Sequence, residues 1–229
     1  MPTPLTQQFR DAKREAILVA STKAFAEHGF AATTVAVIAR SVGVGKASVY
    51  DAFGSKEDLL LACCLRVCEQ DNAEILAAGS RLWSGFPAMV EAVSAGRDAE
   101  VSGLADPLGF SHELLCTHLR GQLRRAGAES RLFLDLFMAS SHDPTALARV
   151  RAAIHAMFSG WEELTATLLR MANRAGQIPP CIDPAAHARL LILALDGFML
   201  QQFWGRFPDA VAEGDRVVAT WFSSLNPAS

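Results

Sequence analysis

Apolar residues recur at intervals of three and four along most of this chain, and alternating apolar and polar runs of the kind a half-buried strand needs are nearly absent. An all-α fold follows. Ten prolines and 16 glycines in 229 residues are too few for a low-complexity chain, and a 51% hydrophobic content gives the helices a core to build. The spacing predicts a first helix over Phe9 to His28, ended by Gly29, and a short second helix to Ser41 started by Thr33-Thr34. The turn Val42-Gly43-Val44-Gly45 then leads into another short helix from Lys46 to Phe53. Ser55 with Asp58 three positions on is a capping box, so Ser55 starts a long helix expected to reach Ala78.

Glycines and Pro87 weaken the pattern between Gly79 and Pro107. Helices are expected at Pro87 to Glu100, Ser111 to Arg125 and Glu129 to Ser140. Pro144 and Pro184 suit the first turns of helices reaching Ala175 and Phe207, and a last helix spans Val211 to Leu225. No signal sequence is read at the amino terminus, and the strongest apolar run, Leu190 to Leu200, is 11 residues long with Asp196 inside it. A cytoplasmic protein without a membrane partner is expected. Five cysteines, three of them crowded at Cys63, Cys64 and Cys68, do not read as a disulfide framework.

Two short helices joined by a glycine turn have helix-turn-helix spacing. The run from Gly29 to Leu59, with Gly29-Phe30, Thr33-Thr34-Val35, Ile38-Ala39, Gly43-Val44, Tyr50, Phe53 and Ser55-Lys56 in register, resembles the DNA-binding head of the tetracycline-repressor (TetR) family. Gly45 stands where that family often has Ser, and Ala47 where it often has Gly. All four lysines, Lys13, Lys23, Lys46 and Lys56, lie in the first 60 residues, which carry net charge +1, whereas the remainder carries −4. The division expected is a three-helix head, residues 1–54, joined by a long helix to a larger ligand-binding and dimerisation body, residues 55–229.

Six head residues are candidate DNA contacts. Thr34 and Lys56 sit at helix N-termini, where free amides favour a phosphate, and the Tyr50 hydroxyl suits a third phosphate. Lys46, Ala47 and Ser48 are placed to meet guanine O6 or N7, a thymine methyl and several base edges respectively. Three of them have a plainer alternative: Thr34 as a simple cap, Tyr50 as a partly buried core residue, Lys56 as a solvated charge.

The helix from Leu190 to Gln201 is apolar nearly all round, so it is covered on two faces, by its own subunit and by a second copy, or lies central in a monomeric core. Leu190, Ala194, Gly197 and Gln201 follow a packing seam, with Phe198 beside them and Phe158 and Trp161 on the companion helix. The family resemblance implies a homodimer joined through its last two long helices. Trp83, Phe86, Phe110, Phe133 and Phe137, with His112, Cys116 and His142 as polar fixtures, either line a cavity for a small, mainly apolar ligand or are ordinary core.

No nucleophile elbow, phosphate loop or zinc-protease helix is present, so no catalytic residue, metal site or cofactor is expected. The function expected is a ligand-responsive regulator: a homodimeric repressor released from a palindromic double-stranded DNA operator by a small-molecule inducer. The alternatives are a helical small-molecule-binding protein without DNA contact and a thiol-based redox sensor.

Overall fold

A computed structural model describes residues 4–97, 103–140 and 144–225. Every regular element among them is a helix. In chain order these are α1 (Pro4–His28), α2 (Val35–Val42), α3 (Lys46–Phe53), α4 (Lys56–Leu82), α5 (Phe86–Ser94), α6 (Pro107–Ser140), α7 (Pro144–Arg174), α8 (Pro184–Phe203) and α9 (Ala210–Ser224).

Local chemistry explains most of the boundaries. Thr34 caps α2 by accepting the Val37 N–H, and Gly43 ends it at φ 74°, where its left-handed conformation lets the Val44 N–H reach the Ala39 carbonyl at 2.9 Å. The capping box before α4 is formed: Ser55 Oγ accepts the Asp58 N–H at 2.9 Å and donates to Asp58 Oδ2 at 2.7 Å. Asp183 caps α8 with Pro184 in its first turn, and Asp209 caps α9.

Two expectations fail in the middle of the chain. The separate helices over Ser111 to Arg125 and Glu129 to Ser140 are one, α6, of 34 residues. α5 ends at Ser94, six residues short of the expected Glu100, with Gly96 at φ 63° just beyond it.

The residues group into two compact units, Met1–Glu69 with Gly127–Ala153, and Gln70–Ala126 with Ile154–Ser229. In the first, α1, α2 and α3 bury Ile17, Phe25, Ile38, Val49 and Phe53, and the α4 and α6 residues of that unit bury Leu59, Leu60, Leu132 and Leu136. In the second, one apolar cluster gathers Phe86, Met89, Phe110, Leu114, Leu168 and Met171; another gathers Leu169, Ala172, Leu191, Trp221 and Leu225; a third gathers Cys116, Leu119, Phe198 and Val218.

Candidate nucleic-acid interface

α3 is a helix of two turns whose sequence leaves one face bare. Val49 and Phe53 turn inward at 1% and 9% exposure. At 100° per residue, Ala47 and Asp51 lie on the opposite side and Tyr50 on the flank, and all three are exposed. Lys46 is exposed at the N-terminus and Ser48 is half-buried. Tyr50, nearly half exposed, is a surface residue. Thr34 is exposed at the head of α2 although its hydroxyl already serves the Val37 amide. Thus Thr34, Lys46, Ala47 and Tyr50 are all accessible, with Ser48 at the margin.

Lys56 is engaged within its own unit. Its ammonium lies 4.0 Å from the centroid of the Phe30 ring, and the Phe30 N–H donates to Asp135 Oδ2 at 2.7 Å. Desolvation lowers the Lys56 pKa, and the charges of Glu57 and Asp135 oppose that shift. A lysine held over a ring beside a carboxylate has only part of its charge to offer a phosphate.

Sequence reasoning missed the residues that hold this head. Arg149 Nη1 meets Asp58 Oδ1 at 2.7 Å, Arg131 approaches the His28 carbonyl at 3.5 Å, and Asp135 holds Phe30. Arg14 meets the end of α3. These pairs are 38 to 105 residues apart in sequence, so no local pattern marks them.

Gly45 caps α3 without a side chain, and a Cβ there would meet nothing within 4 Å. Packing therefore does not explain the glycine.

The residues expected to bind a ligand are divided between the two compact units. Trp83, Phe86 and Phe110 pack on one another in one apolar cluster, with ring centroids 5.9 Å (Trp83 and Phe110) and 5.4 Å (Phe86 and Phe110) apart. His112 lies elsewhere in that unit, its Nε2 3.8 Å from Cys116 Sγ and its ring against Phe222. Phe133 and Phe137 belong to the other unit, and Phe137 is 59% exposed. His142 lies outside the described residues.

An open groove of about 350 Å³ does exist, with Val93 and Met171 as its apolar part and Arg97, Glu163, Arg170 and Arg174 around it. The periodicity of aromatics could not reveal it, because its lining contains no aromatic residue and half of it is charged.

The expected dimer residues are also sorted by the structure. Leu190 and Ala194 are exposed on α8, with Gly197 and Gln201 half-buried on the same side. Phe198 is 4% exposed and stacks on Phe207, so it belongs to its own subunit's core; Leu193 and Leu200 occupy the exposed face instead. Trp161 donates from Nε1 to Asn72 Oδ1 at 2.8 Å and lies against His118, which turns it inward, with Phe158 against its edge.

Burial raises the thiol pKa of Cys63 to about 11 and shifts Cys64 and Cys116 upward as well. Cys68 is buried too, and Cys181 is the exposed one. Among the described residues no group of three or more His, Cys, Asp or Glu could hold a metal ion, and no helix is long and apolar enough to cross a membrane.

Residues 17–63, which contain this whole arrangement of α2 and α3, match the family described as bacterial regulatory proteins, tetR family. Over these residues the chain is similar to that family. That family is one of regulatory proteins rather than enzymes. The uncharacterized HTH-type transcriptional regulator YerO of Bacillus subtilis is 48% identical over 52 residues, covering 23% of this chain and 18% of YerO. The HTH-type transcriptional regulator HbdR of Aromatoleum is 36% identical over 63 residues, 28% of each chain. The chain thus matches well under a third of the length of these relatives. Over the whole chain the likeness is one of fold: SmeT in complex with triclosan aligns with a TM-score of 0.63 at 22% identity, covering 93% of this chain and 91% of SmeT. SmeT is the repressor of the Stenotrophomonas maltophilia multidrug efflux pump SmeDEF.

Proposed function

We propose that this protein is a cytoplasmic, ligand-responsive transcriptional repressor of the TetR family. As a homodimer it binds a palindromic double-stranded DNA operator and leaves it on binding a small molecule. The observation that carries the reading is α3: its inner stripe is buried, and Lys46, Ala47, Tyr50 and Asp51 face solvent. A helix of this size fits the major groove, where Lys46 donates to guanine and Ala47 touches a thymine methyl. Thr34 and Tyr50 contact phosphates and set the register. Residues 1–54 read DNA, and residues 55–229 bind the ligand and the second subunit.

A second copy is required because one short helix reads few base pairs, whereas two related by a twofold axis read both halves of a palindrome. The exposed α8 face with Leu190, Leu193, Ala194, Gly197, Leu200 and Gln201 is the seam. Release needs no chemistry: a ligand with unequal affinity for DNA-competent and DNA-incompetent conformations shifts the balance between them. The ligand is mainly apolar, and the groove of Val93 and Met171, in which Glu163 pairs with Arg170 while Arg97 and Arg174 add further positive charge, favours one that also carries an acidic group. No cofactor takes part. The burial of four of the five cysteines weighs against the thiol-sensor alternative.

The test is selection from randomised duplexes with the full chain, followed by affinity measurements over a range of salt. One palindromic sequence should be enriched, with affinity falling steeply as salt rises. Lys46→Ala should relax preference at one position in each half-site. Failure to enrich any sequence, even at low salt, would leave a helical ligand-binding protein without DNA contact.

A further inference from the structure

The carboxyl end of α3 is closed by a residue of α1 that lies outside the matched segment 17–63. Arg14 Nη1 donates to the Ala52 carbonyl at 2.5 Å, and its guanidinium carbon lies 4.1 Å from the centroid of the Phe53 ring. Ala52 and Phe53 are the last two residues of α3. One turn of α1 is thus tied to the end of the helix proposed to enter DNA. The next residue, Glu15, takes Arg66 of α4 at 2.7 Å, which fixes that same turn of α1 on a second helix.

We infer that Arg14 is a positioning residue that sets the tilt of α3 against DNA, an inference that rests on the reading of α3 as the groove helix. A two-turn helix does not hold itself in water; its orientation comes from what it touches. The inner stripe consists of Val49 and Phe53, a single line about which the helix can roll. At the N-terminus Gly45 supplies no side-chain cap, so that end has no anchor of its own.

At the other end the carbonyls are taken up in turn: Tyr50 accepts the Gly54 N–H at 2.7 Å, Phe53 accepts the Ser55 N–H at 3.1 Å, and Ala52 accepts Arg14. Of these three, only the Arg14 bond comes from a distant part of the chain. A guanidinium also suits the negative end of a helix dipole and the face of an aromatic ring. With Nη1 on a carbonyl and its guanidinium over a ring, Arg14 acts on DNA through α3 and not through a phosphate.

The test uses the full chain, the selected duplex, a duplex of unrelated sequence, and the variants Arg14→Ala and Arg14→Lys. Amide hydrogen exchange on the DNA-free protein should be faster across residues 46–54 in Arg14→Ala, with α4 to α9 unchanged. Arg14→Ala should bind the selected duplex about tenfold more weakly, with little change on the unrelated one. The salt slope should stay that of the parent, and Arg14→Lys should fall between the two.

An equal loss on both duplexes, with the salt slope smaller by about one, would make Arg14 a phosphate contact and overturn the inference. Parental exchange and parental binding in Arg14→Ala would also overturn it. If Arg14→Ala fails to fold, Arg14→Lys carries the same comparison of duplexes and slopes. A parent that binds no duplex refutes the reading of α3 itself, which is separate from the exchange result.

Discussion

Gly45 shows how a single position separates packing from chemistry. With φ at −76° and free space where a Cβ would stand, it has no steric need to be glycine. A serine there would give α3 a hydroxyl cap. Gly45→Ser is expected to raise stability by about 0.5 kcal/mol, since glycine at a cap is only slightly worse than serine, and thermal unfolding followed by circular dichroism checks it. Lys56 shows the limit of reading residues singly. Its place in the first turn of α4 is plain from the capping box, but its contact with Phe30 comes from the turn after α1 and its closeness to Asp135 from the far end of α6.

Among elements, Gly79 of α4 is the glycine that close approach demands. A Cβ there would lie 2.3 to 2.8 Å from carbons of the Phe86 ring, which is wholly buried. Alanine favours a helix interior by about 1 kcal/mol over glycine, but overpacking costs about 1 to 3 kcal/mol. Gly79→Ala is therefore expected to lower the urea midpoint. The helices of the head were legible because caps, glycines and short periodic stretches agree there; α3 runs from Lys46 to Phe53, as the pattern indicated. α6 was misread as two helices because Ala126-Gly127-Ala128 interrupts its apolar stripe. A helical glycine costs about 1 kcal/mol, and α6 buries Leu114 and Leu119 before that point and Leu132 and Leu136 after it. The groove lined by Val93 and Met171 was not legible at all, since it depends on nonlocal placement.

For the whole molecule, the exposed α8 face carries the proposed dimer seam. Leu193 is 61% exposed in the single chain, more than a soluble surface needs, and its burial by a second copy is part of the proposed function. Leu193→Glu is expected to give a folded monomer by sedimentation velocity and to abolish binding to a palindrome. Asp196 lies on the same helix, and desolvation pushes its carboxyl up to about 6. A carboxyl raised on folding stabilises the native state most when protonated: the contribution is present below the unfolded value of about 3.9 and is lost as pH rises through 6. Asp196→Asn should therefore be more stable than the parent at pH 8 and should match it near pH 4, as read from thermal midpoints.

The single accessible thiol has a practical consequence. A maleimide dye added to the native protein would settle on Cys181 alone, without any engineered residue, while four sulfurs remain sealed in helix packing. Loss of fluorescence polarisation through transfer between like dyes would then count protomers, and a rise in labelling stoichiometry would report the opening of the interior.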